Sequence, residues 1–213
     1  YNLTDLNTAL HQIHFPTSSK GLERAAERLT FDELLILQIG LNLLTAKGKV
    51  KAGCPVKTVN IDDFLYSLPY TPTRAQFNAI KDILLDFKSG YAMNRLVQGD
   101  VGSGKTLVAV AVMYCMAKNG YQSCMMAPTE ILANQHYENI SKMLENFGVC
   151  VALLTASTKA AEKRKILSDL ADGKIQILIG THALLSDKVI FKNLALAVTD
   201  EQHRFGVNQR NLA

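Results

Sequence analysis

Residues 99–106 read GDVGSGKT: three glycines, a lysine and a hydroxyl side chain within eight positions. The order G-x-x-x-x-G-K-[ST] suits one task, holding a chain of phosphates. Gly99, Gly102 and Gly104, spaced by Asp100, Val101 and Ser103, let the backbone turn with no side chain in the way. The N–H groups of residues 102–106 then point inward at a helix N-terminus, where partial positive charge favours an anion. Lys105 has the reach for β- and γ-phosphates, and the Thr106 hydroxyl is a ligand of the kind Mg²⁺ takes. An incidental glycine-rich turn would not need its setting: an apolar run, RLVQ at 95–98, comes before it and a segment of helical length follows.

Such a loop needs a partner carboxylate, and LALAVTDEQH at 194–203 supplies one. Leu194 to Val198 reads as a buried strand that delivers Asp200 and Glu201 at its carboxyl end, where open α/β sheets bind ligands. Asp200 would hold Mg²⁺ through its water shell, and Glu201 would orient and polarise the attacking water. Two adjacent acids are a weak signal alone. Ending an apolar strand downstream of a phosphate loop, they are a strong one.

The elements that must position these residues follow from the apolar pattern. Residues 95–98, 122–127, 149–155, 175–180 and 194–199 are short apolar runs, with helical segments at about 105–118, 130–145 and 159–171 between them. Alternation of this kind predicts an α/β fold with a mainly parallel sheet and helices on both faces. Thr73 caps an expected helix from about Arg74 to Phe87. Residues 1–58 read as a helical segment and 59–213 as the nucleotide-binding lobe. Within the first, Thr30 and Glu33 look like a capping box that starts a helix. Leu34, Leu35, Leu37, Leu41 and Leu44 then recur at helical spacing, so one face should be buried.

The 213 residues are 48% hydrophobic and 20% charged, with a net charge of +4, enough to permit an anionic partner without demanding one. Cys54, Cys115, Cys124 and Cys150 have no metal-ligand spacing, and the last three lie in apolar runs, so buried free thiols in a reducing, cytoplasmic setting are expected. No apolar run reaches the ~18 residues of a membrane span. The chain begins at Tyr1, as part of a longer protein would.

GDVGSGKT, APTEILANQH (127–136), LLTAS (153–157), GTHAL (180–184) and DEQHRFGVNQR (200–210) together resemble the superfamily 2 helicases, and within them the RecG family, which remodels branched DNA. FPTSSKGLERAAERLTFDELLILQ (15–38) is similar to that family's link between wedge domain and motor, so the resemblance covers nearly the whole chain. It implies a first RecA-like lobe, ATP and Mg²⁺ as cofactors, and branched or duplex DNA as partner. It also implies a second RecA-like lobe and a wedge domain in cis, no membrane, and a monomer. Gln76 would read the adenine edge, since an amide donates and accepts at once, and Tyr70 would pack on the base. Pro128, Thr129, Gln135, Thr155, Ser157, Gly180, Thr181 and His182 sit in motifs that face the DNA strand, where small and hydroxyl residues suit phosphate contacts. His203 and Arg204 would couple the nucleotide site to DNA. Ala156 and Pro72 depart from the family's pattern. The lobe is expected to be incomplete at its C-terminus, with a slot left in the sheet beside strand 194–199. Two other readings stay open: a transcription-repair coupling translocase, and a non-motor nucleotide-binding module.

Overall fold

The computed structural model describes residues 3–46, 56 and 60–200. The chain divides into two compact units, Tyr1–Val50 and Lys51–Ala213.

In the first unit, Asp5 caps α1 (Leu6–His14) by accepting the Thr8 N–H at 3.0 Å. A second helix, α2 (Ser19–Ala46), runs unbroken through the expected start at Thr30. Strong helix formers at 23–28 feed straight into it, and the Arg28–Asp32 ion pair at 2.9 Å spans the point where a break was expected. The capping signal is overridden because nothing ends the helix before it. Arg28 also donates to the Thr4 carbonyl at 2.9 Å, tying α2 to the approach of α1. The leucine stripe is not buried: Leu34, Leu35, Leu37 and Leu41 are 44% to 59% exposed. The reason is length. At about 1.5 Å per residue, α1 spans roughly 13 Å of the ~42 Å of α2 and cannot cover its far half. The side chain of Leu44 lies outside the described residues.

The second unit opens with α3 (Asp62–Ser67) and α4 (Arg74–Lys88). Then come α5 (Lys105–Lys118), β1 (Gln122–Met126), α6 (Glu130–Leu144), β2 (Val151–Leu154), α7 (Ala160–Ala171), β3 (Ile177–Gly180) and β4 (Leu194–Thr199). The strands lie in the order β2-β3-β1-β4, and every pair is parallel. This is the expected α/β lobe. Side chains alternate across the sheet. Met125, Ile177 and Ile179 join one core with α3, α4, α5 and α6. Met126, Leu154 and Leu178 join a second with Ile166 and Leu170 of α7. The helix that leaves the phosphate loop, α5, is buried nearly all round, from Leu107 to Met116. A helix with no polar face belongs inside a domain, and its burial makes its N-terminus a fixed platform.

Three expectations for this unit need correction. RLVQ at 95–98 forms no strand among the described residues: Leu96 is 75% exposed, Val97 leans on the core, and Arg95 pairs with Asp86 at 2.7 Å. A strand exists only when paired, and β1 is the one described neighbour of β4. For the same reason β4 is not buried along its length. It is an edge strand in which Leu196 alone is fully buried. Cys150 is exposed, just before β2, whereas Cys115 is buried. Cys124 is half-buried, and burial pushes the thiols of Cys115 and Cys124 up to about 11, so both stay protonated at neutral pH. Cys54 lies outside the described residues.

Candidate nucleotide and metal site

The sheet register sets the site. Leu154 pairs with Gly180, Gly180 with Met126, and Met126 with Thr199, so all four strands end in one row. The ladder runs one residue further on β1 and β4: Ala127 donates to the Gly180 carbonyl at 2.8 Å, and Asp200 to the Met126 carbonyl at 2.9 Å. Thr155, Thr181, Pro128 and Asp200 therefore leave the sheet along a common edge, the carboxyl end of a parallel sheet.

The phosphate loop is formed. Gly102 and Gly104 adopt φ of 80° and 77°, left-handed values that a side chain would oppose. A Cβ on Gly99 would come within 2.8 Å of Ser103 Oγ. Gly104 is the N-cap of α5 and offers no side-chain cap, so the first turn of α5 presents its N–H groups as an anion site does. Lys105 Nζ donates to the carbonyls of Gly99 at 2.7 Å and Asp100 at 2.8 Å, which holds its ammonium inside the curve of the loop. Ser103 N–H closes the turn on the Asp100 carbonyl at 3.1 Å. Val101 points fully into solvent, and Thr106 is half-buried at the start of α5.

Gln76 sits against this loop. It forms a capping box with Thr73 at the start of α4, its Oε1 accepting the Thr73 N–H at 2.9 Å. Its Nε2 donates to the Ser103 carbonyl at 2.8 Å. One amide thus joins the cap of α4 to the phosphate loop, leaving its second N–H for a further acceptor. Tyr70 is half-exposed nearby in sequence.

Asp200 is the first residue after β4. Its Oδ2 lies 2.7 Å from His136 Nε2 of α6, with side-chain exposures of 31% and 12%. Among the described residues no three His, Cys, Asp or Glu side chains group as a metal cage. Asp200 and Thr106 offer a carboxylate and a hydroxyl, oxygen donors of the kind Mg²⁺ takes while keeping several waters. Glu201, His203 and Arg204 lie outside the described residues.

The residues expected to face DNA fall into one hydrogen-bonded group and several separate positions. Thr129 caps α6, accepting the Leu132 N–H at 3.3 Å. The next residue, Glu130, accepts from Ser157 Oγ at 2.9 Å and Ser157 N–H at 3.3 Å. Ser157 Oγ in turn lies 2.9 Å from Thr155 Oγ1. Pro128 is half-buried, and Gln135 and His182 are exposed. Gly180 has a packing reason to be glycine, because a Cβ would collide with the Leu154 carbonyl. Thr181 is buried, and its hydroxyl has no partner among the described residues. Sequence reasoning missed Glu130 and His136. Both lie in the quoted run APTEILANQH, but nothing in its spacing points to residues 27 and 64 positions away.

A phosphate loop feeding a buried helix, beside a parallel sheet whose edge strand ends in an aspartate, defines a RecA-like nucleotide-binding lobe. Residues 73–212 match the DEAD/DEAH box helicase family, and the chain belongs to that family. It is a helicase lobe. The chain is 44% identical over 223 residues to the ATP-dependent DNA helicase RecG of Aquifex aeolicus (strain VF5), which takes in 100% of this chain and 28% of that protein. To the RecG of Bacillus subtilis (strain 168) it is 44% identical over 213 residues, 99% of this chain and 31% of that protein. The chain therefore spans under a third of these relatives. It superposes on a structure of RecG bound to a three-way DNA junction with a TM-score of 0.79 and 41% identity, covering 96% of this chain and 28% of that one. The UvsW helicase of bacteriophage T4 shares the fold, with a TM-score of 0.55 at 14% identity over 77% of this chain and 56% of that one. No helix among the described residues is long and apolar enough to cross a membrane.

Proposed function

We propose that this chain is the first motor lobe of an ATP-driven enzyme that moves on duplex DNA and remodels branched DNA. The common strand-end row carries the reading: the metal-ligand aspartate and the hydroxyl residues expected to meet DNA leave one edge of one sheet. The likeness to a lobe solved on a three-way junction supports the choice of DNA.

In this reading the N–H groups of the loop and of the α5 N-terminus bind the phosphates, and Lys105 exchanges its two carbonyl partners for phosphate oxygens. Mg²⁺ held by Thr106 and Asp200 would offset the charge of the phosphates. Gln76 turns its remaining N–H to the base, and Glu201 orients water. The exposed Thr129, Ser157 and His182 contact the DNA backbone, the buried Thr155 and Thr181 support them from the strand ends, and His203 and Arg204 couple that contact to the nucleotide. A second RecA-like lobe and a wedge domain act in cis. The isolated chain hydrolyses ATP slowly, because charge developing in the transition state lacks the arginines of a second lobe.

The test is ATP hydrolysis by the full-length protein, with and without a three-way DNA junction, beside Lys105→Ala and Glu201→Gln. Strong stimulation by the junction is expected, with both variants reduced by roughly 10²-fold or more. Nucleotide binding with no DNA response would instead support a regulatory phosphate-loop module.

A further inference from the structure

We propose that His136 is a positioning residue for the metal-ligating carboxylate of Asp200, an inference that rests on the nucleotide-site reading above. The backbone of Asp200 is fixed by its bond to the Met126 carbonyl at 2.9 Å. A main-chain bond does not by itself select the side-chain rotamer. The His136 contact restrains it. A carboxylate only accepts, so Nε2 carries the hydrogen, and a separation of 2.7 Å belongs to the short, charge-assisted class.

The ring itself is held firmly. Ala133, His136 and Ile140 stand at i, i+3 and i+7 on α6, and both Ala133 and Ile140 are fully buried in the main core. His136 is therefore presented from the packed face of a fifteen-residue helix, not from a loop. With Oδ2 held there, the carboxylate is oriented before the metal arrives, and less rotation has to be frozen when the metal binds. The same helix begins at Thr129 and Glu130, the latter bonded to Ser157. One rigid element thus touches both the metal ligand and the group expected to face DNA.

A merely structural pair would affect folding but not the response to the metal, and the experiment separates the two. In the full-length protein, binding of a fluorescent ADP analogue is measured in EDTA and across a Mg²⁺ titration. The variants are His136→Ala, His136→Phe and His136→Gln, with Lys105→Ala as the control for the site. Phenylalanine keeps the ring and loses the donor. Glutamine places an amide N–H at a similar reach. Both His136→Ala and His136→Phe are expected to raise the half-saturating Mg²⁺ concentration by roughly tenfold or more, as loss of a metal ligand's hydrogen-bond partner does. Affinity in EDTA should stay within about twofold of wild type, the tenfold cost being confined to the metal step, and His136→Gln should recover most of the Mg²⁺ response. Should alanine unfold the protein, the contrast between phenylalanine and glutamine decides.

Equal Mg²⁺ responses in wild type and His136→Phe would overturn the proposal. So would a loss of affinity of the same size with and without Mg²⁺, which marks a packing role. Binding unaffected by Lys105→Ala would instead overturn the nucleotide-site reading, whatever the His136 variants do.

Discussion

Gly104 carries two constraints at a single position. Its φ of 77° lies in the left-handed region, and a Cβ there would run into the Gln76 side-chain amide. Gly102 has a similar φ of 80° but open space around its would-be Cβ. The pair therefore separates backbone strain from contact. Gly102→Ala should cost about 1–2 kcal/mol, the usual penalty for a left-handed residue with a side chain. Gly104→Ala should cost more, because the Gln76–Ser103 bond at 2.8 Å must break as the amide moves aside. In a Gln76→Ala background the extra cost of Gly104→Ala should vanish, while that of Gly102→Ala should not change. Urea denaturation of wild type, the three single variants and the two double variants measures this. If the excess survives loss of the amide, Gln76 is not what the glycine accommodates.

Among the described elements, α3 is the shortest α-helix and the α-helix least able to stand alone. Its six residues make too few internal bonds to be stable, so it depends on packing. Phe64 supplies that packing. It is fully buried, stacked on Tyr114 of α5 at 5.3 Å and set edge-on to Phe147 at 6.0 Å, while Tyr114 and Phe147 meet at 5.1 Å. Phe147 stands in the single 3₁₀ turn after α6, so the three rings tie α3, α5 and the end of α6 together. Phe64→Ala should lose about 3–5 kcal/mol in denaturant unfolding, and Phe64→Leu much less. A loss under about 1 kcal/mol would mean that the site collapses around the gap.

How legible each element was in the sequence depended on whether its signal was local. The loop at 99–106, the Thr73 cap and the strands at 122–127, 175–180 and 194–199 announce themselves through neighbours in the chain, and the structure has them. RLVQ failed because strand formation needs a partner, which four residues cannot specify. Thr30 failed because a capping pattern starts a helix only where the preceding residues are not already helical. The His136–Asp200 bond was out of reach for a third reason: it joins residues 64 apart, brought together only by the parallel register of β1 and β4 and the return of α6.

At the scale of the whole molecule, the two units differ in what holds them together. Lys51–Ala213 has a core of large side chains on both faces of a sheet, including Tyr114, Phe64, Met113, Ile140 and Leu154. In Tyr1–Val50 the described residues that are fully buried are Ala9 and Ala25. Burial of apolar area stabilises at roughly 25 cal/mol per Å², so two alanines contribute little. The helices there must draw on internal hydrogen bonds, the solvent-exposed Asp5 cap and the part-exposed Arg28–Asp32 pair, all of them weak supports. Such a unit opens more readily than a packed α/β core. Thermal unfolding of the 213-residue chain should therefore have two phases. The first is a broad, early loss of helical circular dichroism from α1 and α2, without change in the environment of Tyr114. The second is a sharp, cooperative transition of the α/β unit, in which the Cys115 thiol first becomes open to alkylation. Phe64→Ala should lower only the second. A single transition, with helix loss and Cys115 exposure coincident, would show that the first unit takes its stability from contacts beyond its own two helices.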